Sequence, residues 1–184
     1  ARALNPLCGW LAAPALLWIA AYSYTKRFTH WSHLWLGLSL AIAPVGGYLA
    51  VRGAWSDPWW VLAAVTAAVT GWVAGFDVFY ALQDEDFDRA ERLKSAVVRL
   101  GPSRSILLAK ALHGIAILAL VAFGVGAGLR WPYYAGVAAG AGLIAWEHRL
   151  VTPGDLSRLD AAFFRANGLV SIVVFLGALA DRML

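Results

Sequence analysis

Five of the chain's eleven acidic side chains lie between Asp84 and Glu91, and Asp77 stands just upstream in an otherwise apolar stretch. Carboxylates crowded this closely repel one another unless a cation or basic side chains neutralise them. At about 100° per residue, Asp77, Tyr80, Asp84 and Asp88 fall within roughly 80° of one helical face, provided one helix continues to Asp88. Asp86 then points to the opposite side. Oxygen-only ligands at i and i+4 suit Mg²⁺, which keeps several waters and commonly bridges one or two carboxylates to phosphate oxygens. The cluster contains no His or Cys, which argues against zinc. Arg89, Arg92, Lys94 and Arg99 follow at once and offer positive charge to an anionic group. The plainer alternative is a solvated acidic–basic loop paired with itself.

The elements that must position these groups read as membrane helices. Apolar residues make up 61% of the 184 residues, charged residues 14%, and the mean hydropathy is +0.66. A soluble domain carries about 25% charge, so lipid is the solvent that accounts for the deficit. A helix needs about 20 mostly apolar residues to cross the hydrocarbon core. Six stretches approach this: Pro6–Ser23, Leu34–Val51, Trp59–Tyr80, Ser105–Leu129, Trp131–Trp146 and Phe163–Ala180. Open strands would strand backbone hydrogen bonds in lipid, so the expected fold is an all-α membrane protein with six transmembrane helices. Asp77 then lies in or near the membrane boundary, where an ionisable group is expensive and marks a functional site.

Glycines within the spans (Gly71, Gly75, Gly124, Gly126, Gly128, Gly136, Gly140) read as close-packing positions, and the ten tryptophans mostly as an interfacial belt. Ten Lys and Arg residues fall in the connections 24–33, 81–104 and 147–162 and the adjoining Arg165; four fall on the other side. That imbalance places the acidic motif on the cytoplasmic side of the membrane. The net charge of +4 is explained by basic loops facing an anionic leaflet. No aromatic-plus-basic groove pattern of a nucleic-acid binder is visible. Cys8 stands alone and can form no internal disulfide. The chain starts at Ala1 and its one methionine is Met183, so the start reads as a truncation.

The run Asp77-x-x-Tyr80-Ala-x-x-Asp84-x-x-x-Asp88, followed by Lys94-Ser95 and Gly101, resembles the second aspartate-rich motif of the UbiA prenyltransferases. Leu4-Asn5-Pro6-Leu7 leading to Tyr22–Thr29 is similar to that family's central cytoplasmic loop, and His33–Gly46 to the helix after it. The resemblance covers nearly the whole chain. It implies a nine-helix bundle around a cavity that opens laterally to lipid, with residues 1–184 as a partial domain supplying the last six helices. The family's first aspartate motif belongs to an earlier helix, so this piece alone is expected to be inactive.

Carried over by position, the resemblance implies that Asp84 and Asp88 hold Mg²⁺ against a polyprenyl diphosphate, with Asp77 supporting the metal or the aromatic acceptor. Lys26 and Arg27 would meet the diphosphate or a substrate carboxylate, Lys94 would contact the diphosphate, Tyr80 would order the carboxylates, and Asn5 would contact substrate. Trp72, Phe76 and Phe79 are candidate aromatic walls around an allylic cation. His30, His33, His113, Glu147 and His148 read as structural. The run Glu147–Val151 to Asp160–Phe164 looks like the 4-hydroxybenzoate-type branch, with a dihydroxynaphthoate as the alternative acceptor. A non-catalytic membrane protein or a transporter is the alternative of another class. A transporter should carry ionisable groups at mid-span, whereas these acids gather at one end.

Overall fold

A computed structural model describes residues 3–151 and 167–184. Those residues form helices and turns, with no strand among them. In chain order the helices are α1 (Pro6–Ala21), α2 (Thr25–Phe28), α3 (Ser32–Arg52), α4 (Trp60–Tyr80), α5 (Glu85–Ala90), α6 (Ala96–Leu100), α7 (Pro102–Gly126), α8 (Trp131–Leu150) and α9 (Asn167–Met183). A 3₁₀ turn, Tyr22–Tyr24, joins α1 to α2.

Four segments among the described residues are long and apolar enough to cross a membrane: Pro6–Phe28, Ser32–Arg52, Trp60–Tyr80 and Pro102–Gly126. The fifth and sixth expected spans are helical in their described parts but fall outside that set. Glu147, His148 and Arg149 occupy the last turn of α8. Helix α9 has 17 residues and carries Asp181 and Arg182 in its last turn. Residues 163–166 of the sixth span, and 152–160 of the late run, lie outside the described residues.

Starts and stops follow ordinary capping chemistry. Asn5 caps α1 by accepting from the backbone N–H of Cys8 at 2.9 Å, with Pro6 at the first helical position. Gly53 closes α3 at φ +67, a left-handed conformation that costs glycine nothing. Gly128, expected as a packing position, instead takes φ +66 just beyond α7, so it serves the turn.

Neighbouring helices approach closely where side chains vanish. A Cβ on Gly37 would lie 2.5 Å from the Thr70 carbonyl oxygen, and one on Gly71 would lie 2.7 Å from that of Leu112. These two positions draw α3 and α7 against neighbouring faces of α4, so glycine packing brings the bundle together as the sequence implies. Helix α1 is tied to α3 by Trp18 and Trp35, whose rings stack at 3.9 Å, and buries no residue of its own. Trp10, Trp55, Trp59 and Trp131 are exposed, as a belt requires, but Trp72 points inward and is hydrogen-bonded there. The main apolar cluster joins Val78, Phe79 and Leu82 to Ala96, Val97, Ile106 and Ala109. It lies directly under the segment that carries the acidic residues.

Candidate active site

The regular stripe from Asp77 to Asp88 is not what forms. Helix α4 stops at Tyr80, and the bonds Leu82 N–H to Phe79, Gln83 to Tyr80 and Asp84 to Ala81 close three-residue turns before α5 starts at Glu85. The electrostatic reason is direct. A continued α4 would carry four carboxylates at its C-terminal, negative end. Breaking and restarting the helix puts Glu85, Asp86 and Asp88 in the first turn of α5 instead, at the favourable positive end. The same break buries Ala81 and Leu82 in the cluster below.

Two of the carboxylates still converge. Lys26 Nζ lies 3.0 Å from both oxygens of Asp88 and 3.8 Å from Asp84 Oδ2. Asp88 is 1% exposed, whereas the Asp84 side chain is 48% exposed. Asp84 occupies the N-cap position of α5 but makes no capping bond, so the cap does not draw its oxygens away from Lys26. The backbone fixes this geometry: the Lys94 N–H donates to the Lys26 carbonyl at 2.6 Å, and the Leu93 N–H to that of Asp88 at 2.8 Å. Ser95 caps α6 by accepting from Val98. The segments 25–28 and 84–100, distant in sequence, are thereby stitched into one polar end of the bundle. Asp86 is exposed, as its position on the far side implied.

Asp77 has a different partner. Its Oδ2 lies 2.6 Å from Nδ1 of His33, the second residue of α3. The His33 ring is buried, and its Nε2 accepts from the Ala96 N–H at 3.4 Å. With Nε2 an acceptor, the imidazole proton sits on Nδ1 and is donated to Asp77. His33 was read from sequence as structural; the structure makes it the residue that orients Asp77. The available signal was an acid buried near a helix end, with a histidine at the start of the adjoining span on the same side.

The remaining candidates divide. Arg27 lies over the Tyr24 ring at 5.5 Å and Arg99 over that of Trp31 at 5.6 Å, held at the rim by cation–π contact. Lys94 Nζ donates to the Phe28 carbonyl at 3.4 Å. Arg89 pairs back onto Glu85 at 2.8 Å. His30 is held below its ordinary value, first by desolvation and then by the nearby charges of Arg99 and Lys94. Tyr80, the last residue of α4, is 39% exposed. Asn5 does not belong to the site. Its amide donates to the Leu49 and Ala50 carbonyls at 2.9 and 3.2 Å, at the opposite end of α3 from His33, roughly 24 Å away by helical rise. Its role is to cap α1 and pin it to α3.

The donor set bears on a metal. Among the described residues no three His, Cys, Asp or Glu side chains gather as a cage. Asp84 and Asp88 nevertheless face one shared cation, here the Lys26 ammonium. Two carboxylates without nitrogen or sulfur ligands fit a hard divalent ion that completes its shell with water and phosphate oxygens.

Fold and site together define an integral membrane protein, all-helical as described, with an acid–base site at one end of its bundle. The sequence matches the UbiA prenyltransferase family over residues 1–169, and the chain belongs to that family. It is 31% identical over 182 residues to a 4-hydroxybenzoate octaprenyltransferase of Xanthomonas campestris pv. campestris (strain B100), covering 98% of this chain and 58% of that protein. It is 32% identical over 183 residues to the mitochondrial 4-hydroxybenzoate polyprenyltransferase of Arabidopsis thaliana, covering 97% of this chain and 43% of that one. An apo structure of a UbiA homolog from Aeropyrum pernix K1 superposes with a TM-score of 0.86 at 29% identity, covering 100% of this chain and 66% of the other. The chain thus spans less than two thirds of these relatives.

Proposed function

We propose that the protein transfers a polyprenyl group from a prenyl diphosphate to a small aromatic acceptor resembling 4-hydroxybenzoate, as a step in quinone synthesis. The observation that carries this reading is the convergence of Asp84 and Asp88 on one cation position, in a chain whose relatives are named for that transfer. In the transfer, the allylic C–O bond breaks and its electron pair leaves with the diphosphate. An electron-rich ring carbon then bonds to the prenyl carbon, and the ring loses the proton from that position.

Asp84 and Asp88 would hold Mg²⁺. When bound, the ion supplies positive charge that stabilises the departing diphosphate. Lys26 and Lys94 supply further positive charge from the stitched loops, with Arg27 at the rim. Asp77, oriented by His33, lies at the boundary between the polar mouth and the apolar interior, where it orients the acceptor or a water of the ion's shell. Tyr80 helps to order the carboxylates. In this reading residues 1–184 contribute the last six helices of a nine-helix bundle. The other aspartate motif stands on a helix outside this sequence, and the polar mouth faces the cytoplasm.

The test uses the complete gene product in membranes with a polyprenyl diphosphate, Mg²⁺ and 4-hydroxybenzoate. Prenylated acceptor should form in the wild type and be nearly abolished by Asp88→Asn. Undiminished turnover in that variant would overturn the assignment.

A further inference from the structure

Two apolar spaces border α4 below the acidic mouth, the nearer one a groove open to the surface. The nearer, of about 300 Å³, is bounded by Leu40, Val73, Phe76 and Asn167; Val73 is one helical turn below Asp77. The farther, of about 340 Å³, is lined on α4 by Val65, Ala68 and Val69, and elsewhere by α7, α8 and α9. Val65 lies roughly 18 Å below Asp77 by helical rise. Trp72 and Ser171 border both, and Trp72 is by far the larger of the two.

The Trp72 side chain is held firmly. Its indole N–H donates to Asn167 Oδ1 at 2.9 Å, and its ring meets Phe76 edge-to-face at 5.9 Å. Its backbone carbonyl accepts from His113 Nε2 at 3.2 Å, which fixes α4 against α7 at this level. The farther cavity has no free polar atom in its lining hydroxyls: Tyr133 donates to the Leu120 carbonyl at 2.9 Å and Ser171 to that of Asn167 at 3.1 Å. Such a space offers water few partners and suits a hydrocarbon.

We infer that Trp72 is a specificity-determining residue that limits prenyl length by separating the near cavity from the far one. The inference rests on the proposed transfer reaction, whose donor carries the hydrocarbon that would enter. A donor whose tail ends above the indole is accommodated as the site stands. A longer tail has to displace an indole fixed by Asn167 and Phe76, or turn aside toward lipid.

The test measures kcat/KM for a series of prenyl diphosphates of increasing length with one acceptor, in the complete gene product. Trp72→Ala joins the cavities and should raise the long-to-short ratio by roughly tenfold or more, the scale on which pocket volume discriminates. Trp72→Phe, a gentler change that removes the indole N–H, should move the ratio in the same direction by less. Adding Val69→Phe, which fills the far cavity, should cancel the gain, while Val69→Phe alone should leave the ratio near that of the wild type. An unchanged ratio in both Trp72 variants would overturn the inference, as would a gain that survives the added phenylalanine. Absence of prenylated product from the wild type with every donor would instead sink the proposed reaction itself.

Discussion

Replacing Lys26 by methionine keeps most of the side chain's volume and removes the ammonium that sits 3.0 Å from both Asp88 oxygens. Asp88 is 1% exposed, so the variant leaves a buried carboxylate without its charge partner. Breaking a buried ion pair from one side costs about 3–5 kcal/mol. The Lys26 side chain is itself 31% exposed, and solvent screening reduces the loss to about 2–3 kcal/mol. For a chain of this size that lowers the melting temperature by roughly 4–12 °C. Mg²⁺ should restore part of the loss, because the ion takes over neutralisation of Asp84 and Asp88; occupancy at a hundred times the dissociation constant returns about 2.7 kcal/mol. The assay is thermal unfolding of the detergent-solubilised protein with and without Mg²⁺, comparing wild type, Lys26→Met and Lys26→Arg. The methionine variant should melt lower and gain more from Mg²⁺ than the wild type, and arginine should fall between. A methionine variant as stable as the wild type, or one indifferent to Mg²⁺, would refute the view that Lys26 and a divalent ion neutralise the same carboxylates.

His33→Leu removes the 2.6 Å partner of Asp77. A hydrogen bond to a charged group is worth about 1.5–3 kcal/mol, so kcat/KM should fall roughly 10- to 100-fold, and His33→Asn should recover part of it in steady-state kinetics. Asn5→Ala should cost about 1 kcal/mol of stability through the lost cap and leave KM for both substrates unchanged, since Asn5 serves the far end of the bundle; a raised KM would return it to the site.

Much of this architecture was legible from composition. A chain this poor in charge and this rich in apolar stretches has to be helical in lipid, and the expected span boundaries agree with α3, α4 and α7 to within a few residues. Clustering of acids at one end was equally plain. The form of the acidic segment was not, because helical periodicity assumes an unbroken helix, and it ignores the penalty of massing carboxylates at a helix C-terminus. Asp84 and Asp88 come together through the turn at 81–84 and through Lys26, a residue 62 positions from Asp88. Asn5 was carried over from the family resemblance by position, and the 16-residue α1 that follows it sets it at the far end from the 22–29 loop. His33 was overlooked because a single histidine on a helix reads as packing until its neighbour is known. Trp72 was legible as a candidate aromatic wall, but its fixed orientation was not, because that depends on tertiary contacts with Asn167 and Phe76.

The central claim is that Asp84 and Asp88, rather than the neighbouring acids, hold a divalent ion together with a diphosphate. Mn²⁺ binding to the complete gene product, followed by electron paramagnetic resonance in the presence of a non-reacting prenyl diphosphate analogue, tests it most directly. Asp84→Asn and Asp88→Asn should each abolish the tightly bound signal, and Asp86→Asn, altering an exposed carboxylate on the other side, should leave it intact. Wild-type binding in the Asp84 and Asp88 variants, or its loss in the Asp86 variant, would contradict the account.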